Sequence, residues 1–219
     1  MGRRWSDSEA VVACVHRAVN SGIPFLSGDY LATMTRSDLE QVFQGTIEMP
    51  MLDDRVELYN SVGKILVEKY EGRYANFVRS CTPRLYADGD GLLDRLPVEF
   101  PRFQDVSIWR GSEVYFYKLA QLGIWGMHLA LSPRKLWALE DTHMISAFAD
   151  YIVPVALRVT GIFSYSPELE DTIADGVEIP ANSPKEIELR AGSLFAIARL
   201  TEEVNALRPS MSPLLQPQV

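Results

Sequence analysis

Apolar side chains recur every three or four residues along most of the chain, the spacing that places them on one face of an α-helix. The first such stretch follows Asp7, a residue type suited to the N-cap position. The second follows Thr35, with Asp38 three residues later in the pattern of a capping box. A long helix is predicted from Leu52 to Tyr70 and a shorter one at 75–81. The N-terminal third of the chain is therefore predicted to be helical.

The middle of the chain departs from helical spacing. Residues 83–105 are rich in proline and glycine and predict a loop region. Apolar and polar residues then alternate on both sides of Arg110, Gly111 and Ser112, which predicts a short β-hairpin near residues 106–117. The nearly continuous apolar stretch KLAQLGIWGMHLAL follows and predicts a central helix that ends before Pro133.

Three further helices are predicted in the C-terminal part. The first covers Val153–Thr160, the second begins after Ser166, and the third runs from Ser183 to about Leu207. Residues 208–219 contain three prolines and predict an unstructured tail. Because helical patterns dominate this order, the predicted fold class is mainly α with one short hairpin. The length of 219 residues suits one domain or two closely packed subdomains.

Composition and charge narrow the classes of protein. With 47% hydrophobic and 23% charged residues over 219 positions, the chain has the composition of a globular domain. A net charge of −8 and the lack of a basic stripe predict no direct nucleic-acid binding. No apolar run approaches the ~20 residues that span a bilayer, so no membrane partner is predicted. Cys14 and Cys81 stand apart in apolar patterns and predict buried free thiols in a cytoplasmic protein.

The familiar cofactor and metal motifs are missing from the sequence. It contains no glycine-rich phosphate loop, no GxSxG and no HExxH. His16 and His128 are interpreted as partly buried structural residues. His143 has no second nitrogen or sulfur ligand at a useful spacing. No metal site and no cofactor are predicted.

Two charged residues stand in apolar surroundings. Asp150 lies between Phe148 and Tyr151 in ISAFADYIVP, and Lys118 opens the central helix in YFYKLAQ. Burying either charge costs free energy unless a partner compensates it. Three interpretations are open: Asp150 is a helix cap, it forms a structural ion pair with Lys118, or the two share a pocket with a ligand.

Taken together, FADYIVP at 148–154 and VYFYKLAQL at 114–122 resemble the queuosine salvage proteins, the queuosine 5′-phosphate N-glycosylases. Five segments, the third of which includes residues 114–122, resemble those of the family in the same order: ACVHRAVNSGIPFLSGDYLATMT, MPMLDDRVELYNSVGKILVEKYEGRYANFV, FPRFQDVSIWRGSEVYFYKLAQL, GIFSYSPELE and KEIELRAGSLFAIARL. The resemblance covers residues 5–207, expected to form one helical domain, with 208–219 as its tail. The family's N-terminal segment and C-terminal helix are expected to be lacking.

The resemblance implies a mainly α-helical fold similar to that of the helical DNA glycosylases. The implied enzyme is an N-glycosyl hydrolase. It hydrolyses the N-glycosidic bond of queuosine 5′-monophosphate, or of a related 7-deazaguanine nucleotide, and releases queuine for salvage into tRNA. The implied partners are this nucleotide and queuine, and no cofactor is implied.

The resemblance also implies roles for individual residues. The catalytic acid of the FADY motif corresponds here to Asp150, and the pocket lysine to Lys118. Tyr117, directly before this lysine, is also expected to contact the substrate. Phe148 is expected to contact the base, and with Tyr151 to form an apolar wall. A carboxylate beside C1′ stabilises the positive charge that develops there, whether it attacks C1′ or orients a water molecule.

At two positions the chain departs from the family pattern. Ile152 and Val155 stand where relatives carry a basic and a polar residue. Two alternatives to hydrolysis are therefore considered: a non-catalytic relative that binds queuine or the nucleotide, and a helical scaffold with a structural pair of Asp150 and Lys118. Because the side-chain amine of queuine is cationic, a second carboxylate is expected in the pocket, and the sequence does not locate it.

Overall fold

The computed structural model describes residues 7–45 and 47–219, and its regular structure is almost entirely helical. The helices are α1 (Asp7–Asn20), α2 (Gly28–Thr33), α3 (Arg36–Val42), α4 (Leu52–Tyr70), α5 (Tyr74–Ser80), α6 (Leu92–Glu99), α7 (Lys118–Leu131), α8 (Ile152–Val159), α9 (Pro167–Ala174) and α10 (Pro184–Ala206). The strands β1 (Val106–Trp109) and β2 (Ser112–Tyr115) form one antiparallel pair. The predicted fold class, mainly α with a short hairpin, is confirmed.

Contacts divide the chain into two compact units, Met1–Cys81 and Thr82–Val219. Each unit has buried apolar residues of its own. The expectation of a single domain over residues 5–207 stays a prediction, and its first two residues lie outside the described part of the chain.

The first unit contains α1 to α5. The predicted capping box of α3 is confirmed, because the backbone N–H of Thr35 donates to the Asp38 carboxylate over 2.8 Å and the Asp38 N–H donates to the Thr35 hydroxyl. Helix α4 has the bounds that the sequence pattern predicts. The side chain of Asp7, the expected cap of α1, lies outside the described residues. One cluster of buried residues in the core of this unit contains Ala18, Phe25, Leu31, Met34, Leu39, Val42, Phe43 and Leu52.

The second unit begins with α6 and the hairpin. Val106 pairs with Tyr115 and Trp109 with Ser112, so Arg110 and Gly111 form the predicted turn. Both turn residues have positive φ, 49° and 84°, as a two-residue hairpin loop of type I′ requires. The core contains Leu85, Leu92, Leu96, Phe100, Phe116, Ala120, Ile124, Ile145 and Leu157.

Two segments of the second unit are more ordered than the sequence predicts. Helix α6 lies inside the predicted loop region 83–105. Pro97 weakens its sequence signal, but the helix starts where Asp94 accepts the N–H of Gly91 over 3.0 Å, and it buries three leucines. The helix therefore draws its stability from burial more than from intrinsic propensity.

The predicted unstructured tail also differs from the structure. Asn205 hydrogen-bonds both backbone groups of Leu214, at 2.8 and 2.9 Å, and Gln216–Gln218 form a 3₁₀ turn. The Gln216 side chain accepts the N–H of Ala147 over 3.1 Å. Proline content alone did not reveal these side-chain anchors.

The sequence also led to expectations about the two cysteines and about membrane-spanning helices. Cys14 and Cys81 are both free thiols, Cys81 buried and Cys14 half-buried. Among the helices of the described residues, none combines the length and the apolar character that crossing a bilayer requires.

Candidate functional site

Asp150 lies in the second unit, two residues before the first residue of α8. Its Oδ1 atom accepts the backbone N–H of Ile152 over 2.9 Å and that of Val153 over 3.4 Å. Its Oδ2 atom lies 3.5 Å from Nζ of Lys118, the first residue of α7. Asp150 is therefore both a helix cap and the partner of Lys118, two of the interpretations that the sequence left open.

The segment before Asp150 has no regular secondary structure, but three side chains hold its backbone. The buried Gln121 accepts the N–H of Ser146 over 2.9 Å, and Gln216 accepts that of Ala147. Arg190 donates from Nε to the carbonyl oxygen of Ala149 over 3.1 Å. Each of these bonds satisfies a backbone group that no helix or strand partner reaches, so Asp150 is carried by a fixed segment.

A cavity of about 730 Å³ adjoins the pair of Asp150 and Lys118. This volume lies in the range of about 300–1000 Å³ that is usual for small-molecule sites. Tyr151, Leu119, Pro154 and Val155 supply part of its apolar lining. Tyr151 is 79% exposed, so its ring stands at an open part of the cavity wall. We call this space the charged cavity, because its lining includes three carboxylates and two cations: Asp105, Asp150, Glu186, Lys118 and Arg190.

Phe148 does not line the charged cavity. It lines a second cavity of about 500 Å³, with the apolar residues Val153, Ile197 and Leu200 among its neighbours. Asp150 borders both spaces. The structure therefore brings Asp150, Lys118 and Tyr151 together in one cavity and sets Phe148 beside Asp150 in the other, which we call the apolar cavity.

Tyr117 is placed apart from the other predicted site residues. It precedes α7 with a left-handed φ of 49°, and its ring packs against Tyr115 with the centroids 5.6 Å apart. It is absent from the described residues that line the charged and apolar cavities. A substrate contact by Tyr117 stays a prediction from the resemblance.

Sequence reasoning missed three charged residues of the site. Asp105 and Arg190 form a bidentate ion pair with N–O distances of 2.8 and 2.6 Å, and Glu186 lies 3.4 Å from Arg190. Glu186 is thus a candidate for the expected second carboxylate, whereas both carboxylate oxygens of Asp105 are engaged by Arg190. No local sequence pattern could indicate that these residues are close in space, because Asp105 and Arg190 are 85 positions apart. Each belongs to a segment that resembles the family, which is the signal that would have drawn attention to them.

The environment of Asp105 shifts its acidity. Burial alone would raise the pKa of this carboxyl, but the hydrogen bonds from the Arg190 guanidinium and the Lys118 N–H outweigh burial. The positive charges of the Arg190 and Lys118 side chains also lower this pKa. The pKa of Asp105 therefore lies below its ordinary value of 3.8.

We expect Asp105 to make the stability of the protein depend on pH. A carboxyl whose pKa is lower in the folded state stabilises that state above its unfolded pKa, and the contribution disappears as the pH falls through the folded pKa. The free energy of unfolding should therefore fall below about pH 5 in the wild type, with less of a fall in Asp105→Asn. Urea unfolding at pH 7 and at pH 3.5 measures this difference. Equal losses in the two proteins would contradict it.

Within residues 7–45 and 47–219, no three His, Cys, Asp or Glu side chains form a cluster that could hold a metal ion. The charged groups of the charged cavity instead face one another. Their arrangement suits the binding and orientation of an organic ligand.

The fold and the site define a mainly α-helical protein whose second unit holds a carboxylate–lysine pair between two cavities. A family model described as queuosine salvage protein matches residues 1–214. The chain therefore belongs to the queuosine salvage protein family.

Curated relatives carry the name queuosine 5′-phosphate N-glycosylase/hydrolase. The protein of Sphaerobacter thermophilus is 37% identical over 191 residues, which are 87% of this chain and 58% of the relative. The protein of Schizosaccharomyces pombe is 28% identical over 209 residues, 93% of this chain and 59% of the relative. The protein of Bos taurus is 29% identical over 198 residues, which are 90% of this chain and 57% of the relative. The chain thus spans less than two thirds of the length of these relatives.

Proposed function

We propose that this chain hydrolyses the N-glycosidic bond of queuosine 5′-monophosphate, or of a related 7-deazaguanine nucleotide, and releases queuine. The observation that carries the proposal is the Asp150 carboxylate, which is fixed at the start of α8, lies 3.5 Å from Lys118 and borders two cavities. The names of the curated relatives support the reaction and the substrate. Release of queuine from this nucleotide makes the base available for salvage into tRNA.

Asp150 is proposed to act on the sugar. When the bond from C1′ to the base nitrogen breaks, its electron pair leaves with the base, and positive charge develops on C1′ and the ring oxygen. A preorganised carboxylate stabilises this charge more in the transition state than in the bound nucleotide. Water then supplies a hydroxyl group to C1′ and a proton to the base nitrogen, which balances the reaction.

The two oxygens of Asp150 have different surroundings. Oδ1 accepts two backbone N–H groups of α8, whereas Oδ2 faces Lys118 and is the oxygen that we assign to the sugar. Lys118 holds this oxygen in place by charge. Because a 7-deazapurine has no N7 to protonate, the base depends on hydrogen bonds elsewhere on its ring. Phe148 is proposed to contact the base from the apolar cavity.

Incubation of the 219-residue chain with queuosine 5′-monophosphate is the direct test of the activity. Mass spectrometry should detect queuine and ribose 5-phosphate in equal amounts, increasing with time and with protein concentration. Boiled protein serves as the control. If no queuine forms at protein concentrations near that of the substrate, hydrolysis by this chain is refuted.

The ion pair is also what a structural scaffold requires, so this alternative has an observation in its favour. A scaffold predicts no product, no shift of the melting temperature with queuine, and similar losses of stability in Asp150→Asn and Lys118→Met. A non-catalytic binder predicts a shift of the melting temperature with queuine and no product. Calorimetric melting curves with and without queuine separate the two.

A further inference from the structure

The ion pair of Asp105 and Arg190 connects two parts of the backbone that carry site residues. Asp105 lies directly before β1, and its Oδ2 atom accepts the backbone N–H of Lys118 over 3.0 Å. Arg190, in the second turn of α10, donates from Nε to the carbonyl oxygen of Ala149, the residue before Asp150, over 3.1 Å. The pair thus links the start of α7 to the segment that precedes α8.

The guanidinium of Arg190 is held on several sides. Its two terminal nitrogens bind the two carboxylate oxygens of Asp105 at 2.8 and 2.6 Å, and one of them lies 3.4 Å from Glu186. Its central carbon, Cζ, lies over the ring of the buried Phe116, 3.9 Å from the centroid. Because a guanidinium has five N–H donors in a rigid fork, these contacts fix both its position and its orientation.

We infer that Asp105 and Arg190 are positioning residues, which set the distance between the Lys118 ammonium and the Asp150 carboxylate. This inference rests on the proposed function of Asp150. Four hydrogen bonds form one chain, from the Lys118 N–H through Asp105 and Arg190 to the Ala149 carbonyl. Neither residue needs to touch the substrate, since the donors and acceptors that would reach it are engaged with each other.

Misplacement of a catalytic group by about 1 Å is enough to cost about 100-fold in rate. Removing the guanidinium frees the Ala149 carbonyl and leaves Asp105 without its bidentate partner, so the segment that carries Asp150 is released on one side. The side chains of Lys118 and Asp150 are 22% and 31% exposed, and their contact spans 3.5 Å. The Gln121 bond to Ser146 still joins α7 to this segment, but at a position four residues before Asp150. The separation of Lys118 and Asp150 should therefore increase.

The test compares Arg190→Gln and Arg190→Lys with the wild type in the queuine-release assay. Both variants should lose about 10- to 100-fold in kcat with KM for queuosine 5′-monophosphate changed by less than about threefold. Lysine should not restore the rate, because a single ammonium cannot bind Asp105 in two places and Ala149 as well. A rise in KM with kcat unchanged, or full activity in Arg190→Lys, would overturn the inference, since direct substrate binding or charge alone would then explain Arg190.

Arg199→Gln is the matched control. Arg199 lies on the same helix, α10, and its ion pairs with Glu202 and Glu203 are exposed. It should leave kcat and KM unchanged. All rates are divided by the folded fraction, measured from calorimetric melting, so that a purely structural loss is removed from the comparison. Asp105→Asn, which keeps the shape of the side chain, replaces Arg190→Gln if that variant does not fold.

Crystal structures of the wild type and Arg190→Gln give a readout that needs no activity. The Lys118 to Asp150 separation should increase beyond about 4 Å, the usual limit of an ion pair. An unchanged separation would overturn the positioning role. If the wild type releases no queuine, the proposed function fails, and the separation in the two crystal structures still decides whether Asp105 and Arg190 position these side chains.

Discussion

Replacing Asp150 with Asn is expected to lower kcat for queuine release by at least about 1000-fold, because the neutral amide cannot stabilise the positive charge on C1′. The KM for queuosine 5′-monophosphate should change little, since the lost interaction is made mainly in the transition state. Initial rates of queuine formation, followed by mass spectrometry over a range of substrate concentrations, give both constants.

The same substitution should leave the fold intact. The amide oxygen of Asn can still accept the Ile152 N–H that Oδ1 of Asp150 accepts at 2.9 Å, so the cap of α8 remains. By contrast, Asp150→Ala removes the cap and should cost about 1 kcal/mol of stability in addition to the activity. The two variants therefore separate the capping role of Asp150 from its proposed catalytic role.

Asp38→Asn is a suitable control for Asp150→Asn. Asp38 also accepts a backbone N–H at a helix start, but it lies in α3 of the first unit and is partly buried. Its replacement should leave the rate of queuine release unchanged. Full activity in Asp150→Asn, with the protein folded, would contradict the assignment of Asp150 as the catalytic acid.

Local patterns predicted those elements whose causes are local. The capping box of Thr35 and Asp38, the caps Ser166 and Ser183, and the left-handed turn at Arg110 and Gly111 are each determined within a few residues. Helix α6 was missed because its stability comes from burial of its leucines, and burial is decided by residues far away along the chain. The anchors of the C-terminal tail are non-local in the same sense.

In the candidate site, too, the sequence indicated what depends on neighbouring residues and missed what depends on distant ones. The apolar surroundings of Asp150 and Lys118 indicated a pair or a pocket, and the pairing is present at 3.5 Å. The catalytic role of Asp150 came from the family resemblance, since a cap and a catalytic acid look alike in sequence. Asp105 and Arg190 were out of reach, because nothing in the spacing of residues 85 positions apart indicates a bidentate contact.

Gly63, in the middle of α4, is a position where helix propensity and packing give opposite expectations. Alanine is better than glycine within a helix by about 1 kcal/mol, so propensity alone favours Gly63→Ala. Its Cβ atom, however, would lie 2.2 Å from the backbone nitrogen of Ala32 and 2.6 Å from the carbonyl carbon of Leu31 in α2. Neither backbone atom can move without moving α2 itself.

A movement of α2 would also break other contacts. The Asn60 side chain, one turn before Gly63 on α4, donates to the carbonyl oxygens of Leu31 and Met34, each over 2.9 Å. These two bonds hold the C-terminal end of α2 against α4, and Leu31 and Met34 belong to the core of the first unit. The clash at Gly63 therefore strains hydrogen bonds and core packing together.

We expect Gly63→Ala to lower the free energy of unfolding by roughly 3 kcal/mol, because overpacking against a backbone exceeds the gain in helix propensity. Gly126→Ala is the matched control: Gly126 lies within α7, and a Cβ atom there would meet nothing within 4 Å. That variant should gain about 0.5–1 kcal/mol. Urea titrations of the two variants and the wild type measure both effects. A Gly63→Ala protein as stable as the wild type would show that α2 is not held against α4 at this distance.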